Sequence, residues 1–201
     1  FKNHTSESLL KLVNPISTNM SVMRHSLIPG LINVLRDNLN NQQKRVRIFE
    51  LGRAFLANKK VVASENTVNG IDQPYYLAAL IHGPTHEEQW GSEEKNVDFF
   101  DLKKILTNIS ELETIKFKKT NSEVSFLHPG RSALICTNED NPDPDRSLSF
   151  FDAGLVGYIG EVHPHICSLF DFATPPIVFE VNVQNLTHKD FPKNKKIPKV
   201  P

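Results

Sequence analysis

The stretch Tyr75-Tyr-Leu-Ala-Ala-Leu-Ile-His82 is an apolar run of eight residues with polar segments on either side. Its length and its polar borders are typical of a buried β-strand. Four further runs of this kind are rich in Val, Ile and Phe, which favour strands. They are Val46–Phe55, Ser132–Thr137, Leu155–Val162 and Ile177–Val183. Most neighbouring runs have no regular helix between them, which predicts a mainly antiparallel sheet.

Three helices are predicted around this sheet. From about Pro29 to Asn40, apolar residues recur at three- and four-residue steps, and Pro29 suits a first helical turn. Between Asp98 and about Leu112, a suitable N-cap is followed by an apolar stripe. A short helix is predicted from Pro164 to Phe170. With weaker strand candidates near Lys60–Ala63 and Ile115–Lys118, these elements predict one α+β domain.

The charges of the chain balance, with 23 basic and 23 acidic side chains among 201 residues. A dedicated polyanion binder needs a surplus of Lys and Arg, so this balance disfavours one. Two cysteines, Cys136 and Cys167, cannot form a disulfide framework and suit a reducing, cytoplasmic location. The apolar runs are far shorter than the roughly 20 residues that span a bilayer, so no membrane association is expected.

Both ends of the chain are predicted to be connections to other parts of a longer protein. The chain begins with Phe1 rather than Met, as expected of an excised piece. Residues 188–201 contain five Lys and three Pro, which oppose a helix or a central strand. We expect a linker there towards a further domain, with a lysine-rich RNA contact as the alternative. The core domain is predicted to cover residues 1–187.

Generic motifs of catalysis and metal binding are weak in this sequence. His163-Pro-His165-Ile-Cys167 places three possible zinc ligands within five residues, but a tetrahedral site needs a fourth ligand from elsewhere. Turn formation around Pro164 explains that segment better. The sequence contains no GxSxG, GxxxxGK[ST] or GxGxxG pattern. Generic motifs alone therefore indicate only a globular domain.

Two short segments place charged residues beside glycines. Phe126-Leu-His-Pro-Gly-Arg-Ser-Ala133 puts His128 and Arg131 around a Pro-Gly pair, and Gly157-Tyr-Ile-Gly-Glu-Val-His-Pro164 ends a strand on Glu161 and His163. We expect Gly130 to adopt a backbone conformation unfavourable to side chains, and Arg131 to pair with a carboxylate such as Glu161. The alternative is that these residues contact a ligand.

Six segments, taken in order, resemble one family. The chain is similar from about residue 9 to about residue 187 to the catalytic-core-like module of the beta subunit of bacterial phenylalanyl-tRNA synthetase. The segments are Leu12-Val-Asn-Pro-Ile-Ser17, Met23-Arg-His-Ser-Leu-Ile-Pro-Gly-Leu31, Phe49-Glu-Leu-Gly-Arg-Ala-Phe55, Val97-Asp-Phe-Phe-Asp-Leu-Lys103, His128-Pro-Gly-Arg-Ser-Ala133 and Gly160-Glu-Val-His-Pro164.

The resemblance implies a class II aminoacyl-tRNA synthetase-like fold with a largely antiparallel sheet flanked by helices. It also implies that the parent protein works as an (αβ)₂ heterotetramer. That enzyme activates phenylalanine with ATP and Mg²⁺ and transfers it to its tRNA. In this family the alpha subunit carries the synthetic active site, and other domains of beta carry the editing site. This chain is therefore expected to bind no cofactor or metal itself and to meet tRNA only through the holoenzyme.

The residues after Phe49–Phe55 depart from the pattern of catalytic class II cores. Such cores continue with an arginine that binds the ATP phosphates and then a glutamate, whereas this chain has Leu56 and Asn58 there. Leucine cannot replace a bidentate guanidinium. Glu50 and Arg53 are accordingly predicted to be structural, with Arg53 in an ion pair. The alternatives are a divergent core that binds ATP or an amino acid, and a tRNA-binding module in its own right.

The helix that begins near Pro29 is predicted to contact the alpha subunit. Its apolar stripe is wide, and we expect Leu31, Leu35 and Leu39 to meet a helix of the alpha subunit. An isolated domain could cover the same residues by forming a homodimer. The alternative is that the stripe is buried wholly in the domain's own core.

Overall fold

The computed structural model describes residues 9–17, 20–64, 67–91, 93–109, 115–119, 124–136 and 155–186. Its main feature is a six-stranded sheet in the order β1-β4-β8-β7-β6-β5, in which every neighbouring pair is antiparallel. The strands of this sheet are β1 (Val46–Arg53), β4 (Tyr75–His82), β5 (Lys116–Lys119), β6 (Leu127–Cys136), β7 (Leu155–Val162) and β8 (Ile177–Asn182). A small second sheet pairs β2 (Leu56–Ala57) with β3 (Ile71–Asp72). The predicted antiparallel α+β architecture is confirmed.

Within the described residues, four helices accompany the sheet, and three of them lie where the sequence predicted helices. They are α1 (Ile28–Asn40), α2 (Phe99–Ile109), α3 (Pro164–Leu169) and α4 (Val183–Leu186). The Asp98 side chain accepts hydrogen bonds from the backbone N–H groups of Phe100 and Asp101, at 2.9 and 3.2 Å, as an N-cap does. The predicted end of this helix near Leu112 lies outside the described residues.

The central strands of the sheet are buried on both faces because the two larger helices lie on opposite sides of it. In β4, Ala78 and Leu80 belong to the core beneath α1, whereas Ala79 and Ile81 belong to the core beneath α2. This alternation follows from the period of two in a strand. The continuous apolar run that predicted β4 therefore reflects a strand with no face exposed to water.

The ends of some strands differ from the prediction because distant segments take over the backbone hydrogen bonds. β1 ends at Arg53 because the Ala54 N–H donates to the Pro74 carbonyl at 3.0 Å, and the Phe55 N–H to the Arg24 carbonyl at 2.8 Å. The weaker candidate at Lys60–Ala63 is not a strand, whereas the one near Ile115–Lys118 is β5. Residues 188–201, predicted as a linker, lie outside the described residues.

Most of the apolar stripe of α1 covers the domain's own sheet, so two of the three leucines predicted at a subunit interface are not on the surface. Leu31 and Leu35 are only 4% and 0% exposed, and Leu39 packs partly buried against the same core. The contacts of α1 are with β1 and β4. Leu31 and Leu35 therefore follow the alternative interpretation, burial in the domain's own core, whereas Val34 on the same helix is 44% exposed. Leu31 and Leu35 are consequently unavailable to a partner subunit.

Candidate functional site

Arg24 connects the segment before α1 to strand β1. Its Nη1 atom lies 2.5 Å from Glu50 Oε1, and its Nε donates to the Arg53 carbonyl oxygen at 2.8 Å. Gly52 lies directly beneath the guanidinium, and a Cβ at this position would come within 3.3 Å of Arg24 Cζ and closer still to Nη2. Glu50 and Gly52 of the Phe49–Phe55 motif therefore hold Arg24, which belongs to the Met23–Leu31 segment. These two segments of the family resemblance are in direct contact.

The close approach of the Arg24 guanidinium to Gly52 predicts that these two residues are energetically coupled. Gly52→Ala should displace the guanidinium from Glu50 and lower the free energy of unfolding by about 1 kcal/mol, as loss of a partly exposed charged pair does. In an Arg24→Ala background, the same Gly52→Ala change should cost almost nothing, because nothing remains to be displaced. Chemical unfolding of the four proteins of this cycle measures the coupling. If the effects of the two substitutions on the free energy of unfolding were additive, the close contact between Arg24 and Gly52 would be contradicted.

Arg53 has a structural role, but not the predicted ion pair. Its Nη1 donates to the Gln73 amide oxygen at 3.3 Å, and its guanidinium lies 4.8 Å from the centre of the Tyr75 ring. No carboxylate lies within 4 Å of it in the described part of the chain. The cation is held by an amide and an aromatic face, because β4 presents Tyr75 directly opposite Arg53.

Leu56 and Asn58, which the family resemblance places at the positions of the ATP-binding arginine and the following glutamate of a catalytic core, both serve the fold. Leu56 is half-buried in β2 and pairs with Asp72. The Asn58 side-chain oxygen accepts from the Lys60 N–H at 3.0 Å, and the Asn58 N–H donates to the Gly70 carbonyl at 2.9 Å. Asn58 thus forms an Asx turn that closes the loop between β2 and β3. These residues do not fit a triphosphate.

A buried carboxylate, Glu180 of β8, fixes the start of α1. It accepts hydrogen bonds from the Leu27 N–H at 2.6 Å, from the Ser26 hydroxyl at 3.1 Å and from the Tyr158 hydroxyl. Ser26 Oγ in turn accepts from the Ile28 N–H at 3.2 Å. The first N–H groups of a helix lack partners within the helix and carry partial positive charge, so a carboxylate there is stabilising.

Burial controls the protonation of this cluster. It raises the pKa of Glu180, against the hydrogen bonds from Tyr158, Leu27 and Ser26, which lower it. It also raises the pKa of Tyr158 well above its ordinary value, helped by the negative charge of Glu180. Sequence reasoning missed Glu180, although a single acidic residue inside the apolar run Ile177–Asn182 is an informative signal. A charged side chain in a strand with no exposed face must have dedicated partners.

Of the residues predicted around the β6–β7 pair, the structure brings Arg131 and Glu161 into contact across the two strands. Arg131 Nη1 lies 3.0 Å from Glu161 Oε2, which confirms the predicted pairing. His128 Nδ1 accepts from the Gly130 N–H at 3.0 Å, and His163 Nδ1 accepts from the His165 N–H at 3.1 Å as the N-cap of α3. The rings of both histidines thus accept hydrogen bonds from backbone N–H groups two residues further along the chain.

The expectation for Gly130 is wrong. Its φ is not among the positive values of the described residues, and an added Cβ would meet only the His128 ring at 3.6 Å. The segment is an irregular part of β6 rather than a turn, since the register shifts between Leu127 and Ser132. Between β6 and β7, close packing instead requires a glycine at Gly160, where a Cβ would lie 2.5 Å from Ser132 Cβ.

No group of three or more His, Cys, Asp or Glu side chains in the described residues is arranged to hold a metal ion. The His163–Cys167 segment forms a helix start instead, with the Cys167 thiol 3.6 Å from the Val162 carbonyl. Among the described helices, none is long and apolar enough to cross a membrane.

Several large apolar side chains remain on the surface of the described residues. Phe49, on the edge strand β1, is 76% exposed, and Leu51 beside it on the same face of the strand is also exposed. Trp90, in the loop between β4 and α2, is fully exposed. Large exposed apolar groups of this kind are typical of surfaces that meet another protein.

The fold is similar to that of two solved aminoacyl-tRNA synthetase chains. It is similar to a pyrrolysyl-tRNA synthetase of Desulfitobacterium hafniense, with a TM-score of 0.55 at 13% sequence identity over 90% of this chain and 51% of that chain. A second structure of pyrrolysyl-tRNA synthetase from this organism gives a TM-score of 0.54 at 14% identity, over 90% and 52% of the two chains. At such low identities the similarity concerns the fold alone.

Comparison with known sequences identifies the family of this chain more specifically than the fold does. The family described as the phenylalanyl tRNA synthetase beta chain CLM domain matches residues 1–183, and the chain belongs to this family. The phenylalanine–tRNA ligase beta subunit of Burkholderia lata is 40% identical over 192 residues, which are 96% of this chain and 22% of that protein. That of Burkholderia pseudomallei is 37% identical over 98% of this chain and 22% of its own length. The chain therefore spans less than a quarter of the length of these relatives.

Proposed function

We propose that this chain is the non-catalytic, class II-like structural and subunit-interaction core of a phenylalanine–tRNA ligase beta subunit. In the holoenzyme, an (αβ)₂ assembly, the alpha subunit uses ATP and Mg²⁺ to attach phenylalanine to its tRNA, and this domain supports that assembly. The tRNA is reached through the holoenzyme. A cytoplasmic location is part of the same proposal.

The observation that carries this proposal is the position of Asn58. In a catalytic core a charged residue here would face the nucleotide, but Asn58 uses its side chain to close its own turn. Leu56, two residues earlier, cannot bind phosphate at all. The arginines nearby are also used: Arg24 binds Glu50, and Arg53 lies on Tyr75. The segment that binds ATP in catalytic class II cores thus has a structural role in this chain.

Exposed apolar side chains support the interaction role. Leu31 and Leu35 of α1 are buried, whereas Phe49 and Leu51 of the edge strand are exposed large apolar groups that a contact with the alpha subunit could cover. An edge strand that exposes large apolar side chains is typically a site of contact with another protein.

Co-expression of this chain with the alpha subunit of the same organism tests the proposal. We expect the two chains to co-purify through a tag on one of them and to elute as one species, whose mass light scattering measures. The chain alone shows in the same experiment whether it forms a homodimer when alpha is absent. Separate elution of alpha and this chain would contradict the interaction role.

A further inference from the structure

Trp90 is the most exposed large apolar side chain among the described residues, with its whole surface open to solvent. It is also the single tryptophan of the chain. Within the described residues, no ring or cation packs on its indole. An indole combines a large apolar surface with one N–H donor, and tryptophan is the residue type most enriched at the centres of protein–protein interfaces.

The loop that carries Trp90 is fastened at both ends. The Thr85 N–H donates to the Lys95 carbonyl at 2.7 Å, and the Val97 N–H donates to the Gly83 carbonyl at 3.0 Å. Arg47 of β1 adds hydrogen bonds to the His82 and Pro84 carbonyls, at 2.6 and 2.7 Å. The loop therefore leaves β4 and enters α2 through a fixed base, which reduces the ordering cost of a contact at its tip.

Glutamates surround the tryptophan in sequence. Glu87 and Glu88 precede it and Glu93 and Glu94 follow it; with Lys95, the segment 86–95 carries a charge of −3 when His86 is neutral. Lys44 and Arg45 line the other wall of a cleft of about 560 Å³ beside the loop, which these glutamates also line. Nevertheless, no ion pair within 4 Å joins these cations to the glutamates in the described residues. The carboxylates remain available to an external cation.

We propose that Trp90 and its flanking glutamates are a docking contact for the alpha subunit, which would present an apolar pocket rimmed by Lys or Arg. The inference rests on the proposed function, because it takes the alpha subunit as the partner. A separate chain must find its partner by diffusion, and opposite charges speed that encounter. A tethered segment of the same chain already has a high effective concentration and gains little from such charges. Nucleic acid is the less suitable partner because its phosphates repel carboxylates.

Fluorine NMR of this chain labelled with 5-fluorotryptophan observes Trp90 alone, even in a complex with an alpha subunit that contains tryptophans. We expect the single resonance to shift and to lose its exposure to solvent when unlabelled alpha subunit is added. Addition of tRNA without the alpha subunit should leave the resonance unchanged.

Variants of the loop separate the indole from the charges. Trp90→Ala should weaken binding to the alpha subunit at least tenfold, and Trp90→Phe should weaken it less. The double change Glu87→Gln and Glu88→Gln should slow association severalfold at low salt and little at high salt. Leu169→Ala removes another exposed apolar side chain, on α3, and is the control, expected to bind within twofold of the parent. Melting curves verify that each variant is folded.

The outcomes distinguish this inference from the proposed function. A stable complex in which the Trp90 resonance does not move, or in which Trp90→Ala binds as well as the control, would overturn the inference and leave the proposed function standing. Failure of any complex to form would contradict both. A shift caused by tRNA alone would identify nucleic acid as the occupant and also overturn the inference.

Discussion

Gly157→Ala should lower the free energy of unfolding by about 4 kcal/mol or more, a loss at the upper end of single-residue effects. Gly157 lies in β7 opposite Val181 of β8. A Cβ at Gly157 would lie 2.7 Å from Val181 Cγ1 and 2.8 Å from Val181 Cα, and closer still to the Glu180 carbonyl oxygen. Because β8 is held between β4 and β7, the backbone has no room to move away.

Gly130→Ala is the matched control for this prediction. The same methyl group at Gly130 would meet only the His128 ring, at an ordinary contact distance of 3.6 Å. We expect its free energy of unfolding to stay within about 0.5 kcal/mol of the parent, as at surface positions without special contacts. Urea unfolding of both variants gives the comparison. Equal losses would contradict the packing described for β7 and β8.

Glu180→Ala should cost about 3 kcal/mol or more. The substitution removes the acceptor of the Leu27 N–H, the Ser26 hydroxyl and the Tyr158 hydroxyl, and each buried donor left without a partner costs about 1–3 kcal/mol. At roughly 2–4 °C per kcal/mol for a chain of this size, the melting temperature should fall by about 10 °C. The exposed Glu94→Ala is the control, expected to melt like the parent. An unchanged melting temperature for Glu180→Ala would contradict the role of Glu180 in holding α1.

The raised pKa of Glu180 predicts how Glu180→Gln depends on pH. The folded protein holds the Glu180 proton more tightly than the unfolded chain, in which the pKa is near its ordinary value of 4.5. The resulting stabilisation is complete below about pH 4.5 and is lost as the pH rises through the folded pKa. Glutamine does not titrate, so the stability of Glu180→Gln relative to the parent should increase between pH 4.5 and pH 7. A constant difference across this range would contradict the raised pKa.

The central strands could be predicted from the sequence because they are buried on both faces. β4 and β7 were predicted with the ends that the structure shows, since continuous apolar runs end where the chain returns to water. The β2–β3 pair could not be predicted, because two-residue strands have no period to detect. The irregular start of β6 depends on its pairing with β7, a contact that local sequence does not encode.

The contacts of the candidate site could likewise be predicted from the sequence only in part. Arg131 and Glu161 could be paired in advance because both flank the ends of predicted neighbouring strands. The apolar stripe of α1 was visible, but periodicity does not say whether a stripe faces its own sheet or another subunit. Arg24 and Glu180 depend on partners 26 and 154 residues away in the chain, and only the assembled sheet brings these together.

The measurement that tests the central claim most directly is a calorimetric titration of this chain with Mg·ATP. The side chains of Leu56 and Asn58 offer no charge to the phosphates, and Asn58 is already used in its turn. We therefore expect only heats of dilution up to millimolar nucleotide. Saturable binding in the micromolar range would contradict the account and would favour a divergent synthetase core that binds ATP itself.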